Sequence, residues 1–234
     1  MTASMILRNL HLLAGWQPIL GPSIAPNNPS AFNMKVGGNP YYPNAAFISI
    51  TGKPGLYTGG MYALSIPLPN MMGTNMPASG ARFKTKFILD AGAPANMTAM
   101  EFGVKVTNTA GLTLPSNYQL DNTKSPSLTV FDLIPLVGQG NWVQVPGAGV
   151  PRLQPYQEYS VQEEFNWGSG RENVTQFSIN GQTFTPPANM QGIAGLMLGW
   201  TPRPLMTVCV QPNVNQNGGS YSLTLTQCDV ELTA

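Results

Sequence analysis

Charge is the scarcest property of this chain. Only 9% of its 234 residues are Asp, Glu, Lys or Arg, and 11 basic residues against 10 acidic ones leave a net charge of +1. No run of Lys or Arg exists to attract a phosphate backbone, so nucleic acid is not an expected partner. Histidine occurs once, as His11, and cysteine twice, as Cys209 and Cys228. A structural zinc site needs four Cys or His ligands, so no metal site is expected. Apolar runs are short as well, and none approaches the ~20 residues that a bilayer-spanning helix requires. The segment from Met5 to Ala14 has the apolar character of a leader, but Arg8, Asn9 and His11 interrupt it. It reads as a first strand or a short amphipathic lead-in.

What is abundant is apolar residues, at 42%, together with 25 Gly and 22 Pro. Disordered chains combine low hydrophobicity with high net charge, and this one has neither, so it folds. A near-zero net charge gives little protection against self-association, which makes a homo-oligomer or larger assembly an expected state.

Periodicity places the strands. From Arg82 to Asp90 the chain alternates, with Phe83, Thr85, Phe87 and Leu89 on one face. Met97 to Thr107 puts Met100, Phe102, Val104 and Val106 on a core face and Glu101 and Lys105 on the other. Gln157 to Trp167 sets Tyr159, Val161, Glu163, Phe165 and Trp167 opposite Ser160, Gln162, Glu164 and Asn166. These are period-2 patterns of half-buried strands. Ala45–Ile50, Thr58–Leu68, Leu128–Leu133, Asn141–Val145 and Val174–Ile179 are further strands, the last running into the hairpin signal Asn180-Gly181. Leu112 to Lys124 is read as irregular, with Tyr118 exposed, and the front of the chain, to residue 80, as loop-rich. No window carries helical spacing, and no repeat of fixed period is present. Strands about ten residues apart predict an all-β antiparallel sandwich, as one domain over residues 1–234 with its main strands from 81 onward.

The last two strands are read as a hairpin about Asn217-Gly218-Gly219-Ser220. That register sets Cys209 opposite Cys228 on a polar face and predicts a disulfide in an oxidising compartment, with two reduced thiols as the alternative. An extracellular or secreted location is the corresponding expectation.

From about Ala81 the order of elements resembles the concanavalin A-like lectin and glucanase superfamily, a jelly-roll sandwich with one concave sheet. The residues that carry the likeness are the strand Arg82 to Leu89, Met100-Glu-Phe-Gly-Val104, Val130-Phe-Asp132 followed by Asn141-Trp-Val143, Tyr159 to Trp167, Phe177-Ser-Ile-Asn-Gly181, and Val208-Cys-Val-Gln211 before the closing strand Leu223 to Leu232. Laminarinase-like members carry two carboxylates on one strand in a Glu-x-Asp-x-x-Glu pattern, whereas this chain has Glu101-Phe-Gly103-Val-Lys105. Glu163 and Glu164 do not substitute, since adjacent residues on a strand face opposite ways. Alginate-lyase-like members use a Tyr and a His, and His11 lies far from the matching strands. Legume-type lectins hold calcium through clustered Asp and Asn, while Asp90, Asp121, Asp132 and Asp229 are dispersed. No cofactor is implied.

The resemblance and the composition together imply a noncatalytic, lectin-like protein for neutral glycans. Aromatic faces stack on sugar C–H surfaces while amides and hydroxyls read the sugar hydroxyls. The candidate ligand-binding residues are Glu101, Lys105, Tyr118, Trp142 and Trp167, each aromatic having core packing as its alternative. An extracellular self-assembling coat or fibre protein is the second reading, and a polysaccharide hydrolase or lyase the third.

Overall fold

In a computed structural model, residues 4–20, 27–37, 39–68, 78–107, 112–125, 127–133, 142–166, 171–186, 191–193, 195–196 and 205–233 are described. In chain order the strands are β1 (Ser4–Leu7), β2 (Gln17–Ile19), β3 (Ala31–Val36), β4 (Ala46–Thr51), β5 (Thr58–Gly59), β6 (Met61–Pro67), β7 (Gly80–Leu89), β8 (Met97–Thr107) and β9 (Leu112–Asp121). They continue as β10 (Leu128–Leu133), β11 (Val143–Pro151), β12 (Glu158–Asn166), β13 (Arg171–Ile179), β14 (Gln182–Phe184), β15 (Gln191–Ile193), β16 (Gly195–Leu196), β17 (Leu205–Val214) and β18 (Ser220–Thr233). A 3-10 turn at Leu10–Leu12 and one helical turn at Ala93–Asn96 interrupt them. No helix among the described residues is long and apolar enough to cross a membrane.

The strands form two antiparallel sheets. The first runs β14-β13-β12-β7-β18-β4-β3, with β1 along β18 and β15 along β13. The second runs β11-β10-β9-β8-β17-β6-β2, with β16 along β9 and β5 along β17. Strands β1 to β6 are thus built into the same two sheets as the later ones.

The alternation of each strand decides which side faces inward. Phe83, Phe87 and Leu89 of β7, with Tyr159, Val161 and Phe165 of β12, meet Met100, Phe102, Val104 and Val106 of β8 in one buried core. Phe87 stacks on Phe102 at 5.5 Å between ring centroids, joining the sheets. At β13–β14 the Asn180-Gly181 turn has φ of 48° and 81°, the left-handed pair that a two-residue hairpin turn requires.

Three expectations fail here. The first is the irregular segment after Leu112: it is strand β9, and Tyr118 pairs with Phe102 in register. Sharing that row, Tyr118 faces the core at 1% exposure, with its ring 5.4 Å from that of Phe102. It therefore packs the interior and offers nothing to a ligand. The strand begun at Asn141 starts instead at Val143.

The second failure is the terminal hairpin. Strands β17 and β18 do not pair; β17 lies between β8 and β6 in the second sheet, and β18 lies between β7 and β4 in the first. The chain arches from one sheet to the other through residues 215–219. Gly218 has φ +69°, and a Cβ there would run into the backbone of Pro54. At Gly219 a Cβ would run into the Asn96 side chain, whose Nδ2 donates to Ser220 O at 2.9 Å. Met206, Val208 and Val210 therefore meet Tyr221, Leu223 and Leu225 face to face across the core, not side by side.

The disulfide fails for the same reason. A bulge between Leu225 and Gln227 shifts β18 by one residue, which turns Cys228 inward at 0% exposure. Cys209 lies on the outward side of the other sheet, where its Sγ donates to Gly103 O at 3.5 Å. Both cysteines are free. Burial raises both thiol pKa values, so each is held as the neutral thiol. The extracellular expectation loses the cysteine argument on which it rested.

Candidate functional site

The two outward faces differ in chemistry. On the first sheet, Arg82 bridges Glu164 at 2.7 Å and Glu231 at 3.1 Å, and Lys86 lies 3.7 Å from Glu158. These are half-exposed ion pairs of a solvated surface, individually worth little. On the second sheet the outward positions carry amides, hydroxyls and few charges, and Glu101 stands near the middle.

Register assembles that face. Gln211, Glu101, Gln119, Asp132 and Gln144 form one row across β17, β8, β9, β10 and β11. The row on one side holds Asn213, Ala99 and Asp121; beyond Cys209 and Gly103 on the other side come Ser65, Thr207 and Lys105. Ser65 Oγ and Thr207 Oγ1 share a hydrogen bond of 3.0 Å.

Three amide groups converge on one oxygen of Glu101. Asn213 Nδ2 donates to Oε1 at 2.6 Å, Gln211 Nε2 at 2.9 Å and Gln119 Nε2 at 3.4 Å. Burial pushes the Glu101 carboxyl up to about 7, against the pull of the Asn213 bond, the Lys105 charge and the bonds from Gln211 and Gln119. Desolvation outweighs all its partners together. A group in this state exchanges its proton near neutrality, acceptor on one side of that pH and donor on the other.

The neighbouring acids are held differently. Asp132 is fully buried, and Lys124 Nζ reaches its Oδ2 at 2.5 Å and Asp121 Oδ2 at 3.6 Å. Burial raises the Asp132 pKa while Lys124 lowers it, and burial prevails. Asp121 Oδ1 accepts from Thr123 N at 2.7 Å and Thr123 Oγ1 at 2.6 Å, closing the loop after β9. Arg152 donates to Asn122 O, Asn122 Oδ1 and Ser125 O, fastening the same loop to the end of β11. An ammonium thus sits between the two carboxylates, and no group of three or more possible metal ligands exists among the described residues.

Of the five ligand candidates read from the sequence, Glu101 and Lys105 share this face, with only Gly103, which lacks a side chain, between them on their side of β8. Trp142 is partly exposed just before β11, three strands from β8, or roughly 14 Å away at the spacing of a β-sheet. Structure therefore does not bring it against Glu101. Tyr118 is in the core, and Trp167 lies outside the described residues. Gln119, Gln211 and Asn213 were missed as site residues. Their signal is weak in sequence, because an amide at an alternate position is ordinary until strand pairing sets three of them around one carboxylate. His11 is buried, its Nε2 donates to Asn44 O at 3.3 Å, and burial lowers its pKa, which fits a packing role for this residue.

No protein-family model matches the chain, and no curated protein matches it in sequence. Solved structures do match in shape. The carbohydrate esterase of the Shiga toxin-encoding bacteriophage phi24B aligns over 100% of both chains with a TM-score of 0.54 and 12% identity. The basic winged bean lectin with Tn-antigen aligns over 99% of both chains with a TM-score of 0.51 and 9% identity. At such identities the likeness is one of fold alone, that of two stacked antiparallel sheets in a jelly-roll sandwich.

Proposed function

We propose that the protein is a noncatalytic carbohydrate-binding sandwich, and that the outward face of the second sheet around Glu101 takes a neutral glycan. The observation that carries this reading is the Glu101 cluster: a carboxyl bonded by Asn213, Gln211 and Gln119 on a face rich in amides and hydroxyls. Neutral sugars are read by such groups, which supply donors and acceptors without a field. The same fold holds Tn-antigen in the winged bean lectin, which sets the class of ligand to test.

Glycosidase chemistry with paired carboxylates is less well supported. Its two acids must flank one bond. Here Asp132 is fully buried on Lys124, two strands from Glu101, and Asp121 is tied to Thr123. Glu163 faces the core at 0% exposure, while Glu164 faces outward onto Arg82. None of them stands beside Glu101 as a free second carboxylate.

A glycan array, followed by affinity electrophoresis in polysaccharide gels, tests the proposal. The expected result is retention by neutral glycans that weakens when Asn213 or Gln211 is replaced by Leu. If no glycan is bound and the protein sediments as a large assembly, the self-assembling structural reading replaces it.

A further inference from the structure

The cluster around Glu101 is asymmetric. All three amide donors, from β17 and β9, reach Oε1, and no bond to Oε2 is present among the described residues. Gln211 Nε2 is also 3.3 Å from Asn213 Oδ1, so the amides brace one another as well as the carboxyl. The side chain is only partly buried, and Gly103 leaves the space next to it on β8 free of that strand's own side chains. Lys105 follows on the same face and forms no ion pair among the described residues.

The geometry points to Glu101 as the specificity-determining residue of this face: Oε1 is committed to protein amides, while Oε2 bonds a hydroxyl of a neutral sugar and its charge turns away a uronate. This rests on the carbohydrate-binding reading above. A hydroxyl both donates and accepts, so it satisfies Oε2 whether or not the carboxyl holds a proton. The carboxylate of a uronate only accepts, and it meets a like charge when Glu101 is ionised. Neutral glycans are therefore bound on both sides of neutrality, and acidic ones are admitted only as Glu101 takes up a proton.

The groups facing Glu101 set the background of this filter. The Lys105 charge on β8 favours the ionised form of Glu101, and beyond Gln119 lie Asp121 and Asp132, with the Lys124 ammonium between them. Cys209 on β17 stays neutral, as does Tyr221, whose hydroxyl donates to Asn213 O at 3.3 Å and whose pKa burial pushes up. Glu101, pushed to about 7, changes charge between pH 6 and pH 8.

The test is an array of matched neutral and uronic-acid oligosaccharides, probed at pH 8 and pH 6 with the wild type, Glu101→Gln and Lys105→Met. The wild type should bind neutral glycans at both pH values and uronates about 10-fold more weakly at pH 8, the gap closing toward pH 6 as the ionised fraction falls about 10-fold. Glu101→Gln keeps an acceptor for the three amides and places an N–H donor at the Oε2 position. It should abolish the gap and its pH dependence, the gap being read as the ratio of neutral to uronate binding by the same variant. Lys105→Met, which leaves the cluster intact, should widen the gap at pH 8. Should uronates bind the wild type as well as neutral glycans at pH 8, or either variant leave the gap unchanged, the assignment of Glu101 is overturned while the glycan reading stands. Absence of all glycan binding by the wild type overturns both.

Discussion

Asn213 Nδ2 donates to Glu101 Oε1 at 2.6 Å, across the pairing of β17 with β8, and yet the carboxyl it serves is pushed up to about 7. Burial therefore costs the ionised form more than three amides and a nearby ammonium return to it. Because the folded value lies above the unfolded one, folding takes up a proton. The stabilisation this gives is complete below about pH 4.5 and is lost as pH rises through 7. Glu101→Gln removes that dependence, so between pH 4 and pH 8 the wild type should lose up to about 3 kcal/mol relative to the variant. Urea denaturation of both proteins at several pH values measures it, and parallel curves would refute it.

Lys124 and Asp132 should behave as a structural pair. With Asp132 at 0% exposure and its Oδ2 2.5 Å from the ammonium, Lys124→Met leaves a buried acid without its cation. A loss of about 3 kcal/mol is expected, partly recovered by adding Asp132→Asn. Since Lys124 also reaches Asp121, chelators should leave the melting temperature unchanged; a drop on chelation would reveal a metal that these carboxylates hold.

The cysteines should be independent of each other. Reductant should not alter the melting temperature, and mass spectrometry after alkylation in denaturant should find two modified thiols. Cys228→Ala, which leaves a small void in the core, should cost about 1–2 kcal/mol. A bridged peptide from the natively isolated protein would contradict the placement of the two residues on separate sheets.

The arch between the sheets depends on two glycines. Gly218→Ala combines a left-handed φ of +69° with a collision at Pro54, and a loss of about 2 kcal/mol or more is expected. Thermal unfolding monitored by circular dichroism reads it directly. A neutral Gly218→Ala would mean that the arch takes another path.

Tyr118 distinguishes core from site. Tyr118→Phe keeps the ring 5.4 Å from Phe102 and should leave glycan binding within about 2-fold, whereas Tyr118→Ala should cost about 3–5 kcal/mol of stability. Selective loss of binding in the Phe variant, with stability intact, would return this residue to the ligand.

Much of the architecture was legible from alternation alone. The inward residues of β7, β8 and β12 follow from side chains pointing to opposite faces at every step, a local property of an extended backbone. So do the shared face of Glu101 and Lys105 and the separation of Glu163 from Glu164. The turn at Asn180-Gly181 is equally local, since it needs only two residues that accept positive φ.

Other features depended on pairing between distant segments. Alternation in β17 and β18 fits a hairpin and an arch equally well, because both bury Met206, Val208, Val210, Tyr221, Leu223 and Leu225; the difference lies in whether those faces lie in one sheet or oppose each other across two. One extra residue after Leu225 then sent Cys228 into the core, a shift that no periodicity announces. The amide cluster arose the same way. Gln119, Gln211 and Asn213 are unremarkable polar positions along the chain, separated from Glu101 by 18 to 112 residues, and only the register of β9 and β17 on β8 turns them toward one carboxylate oxygen.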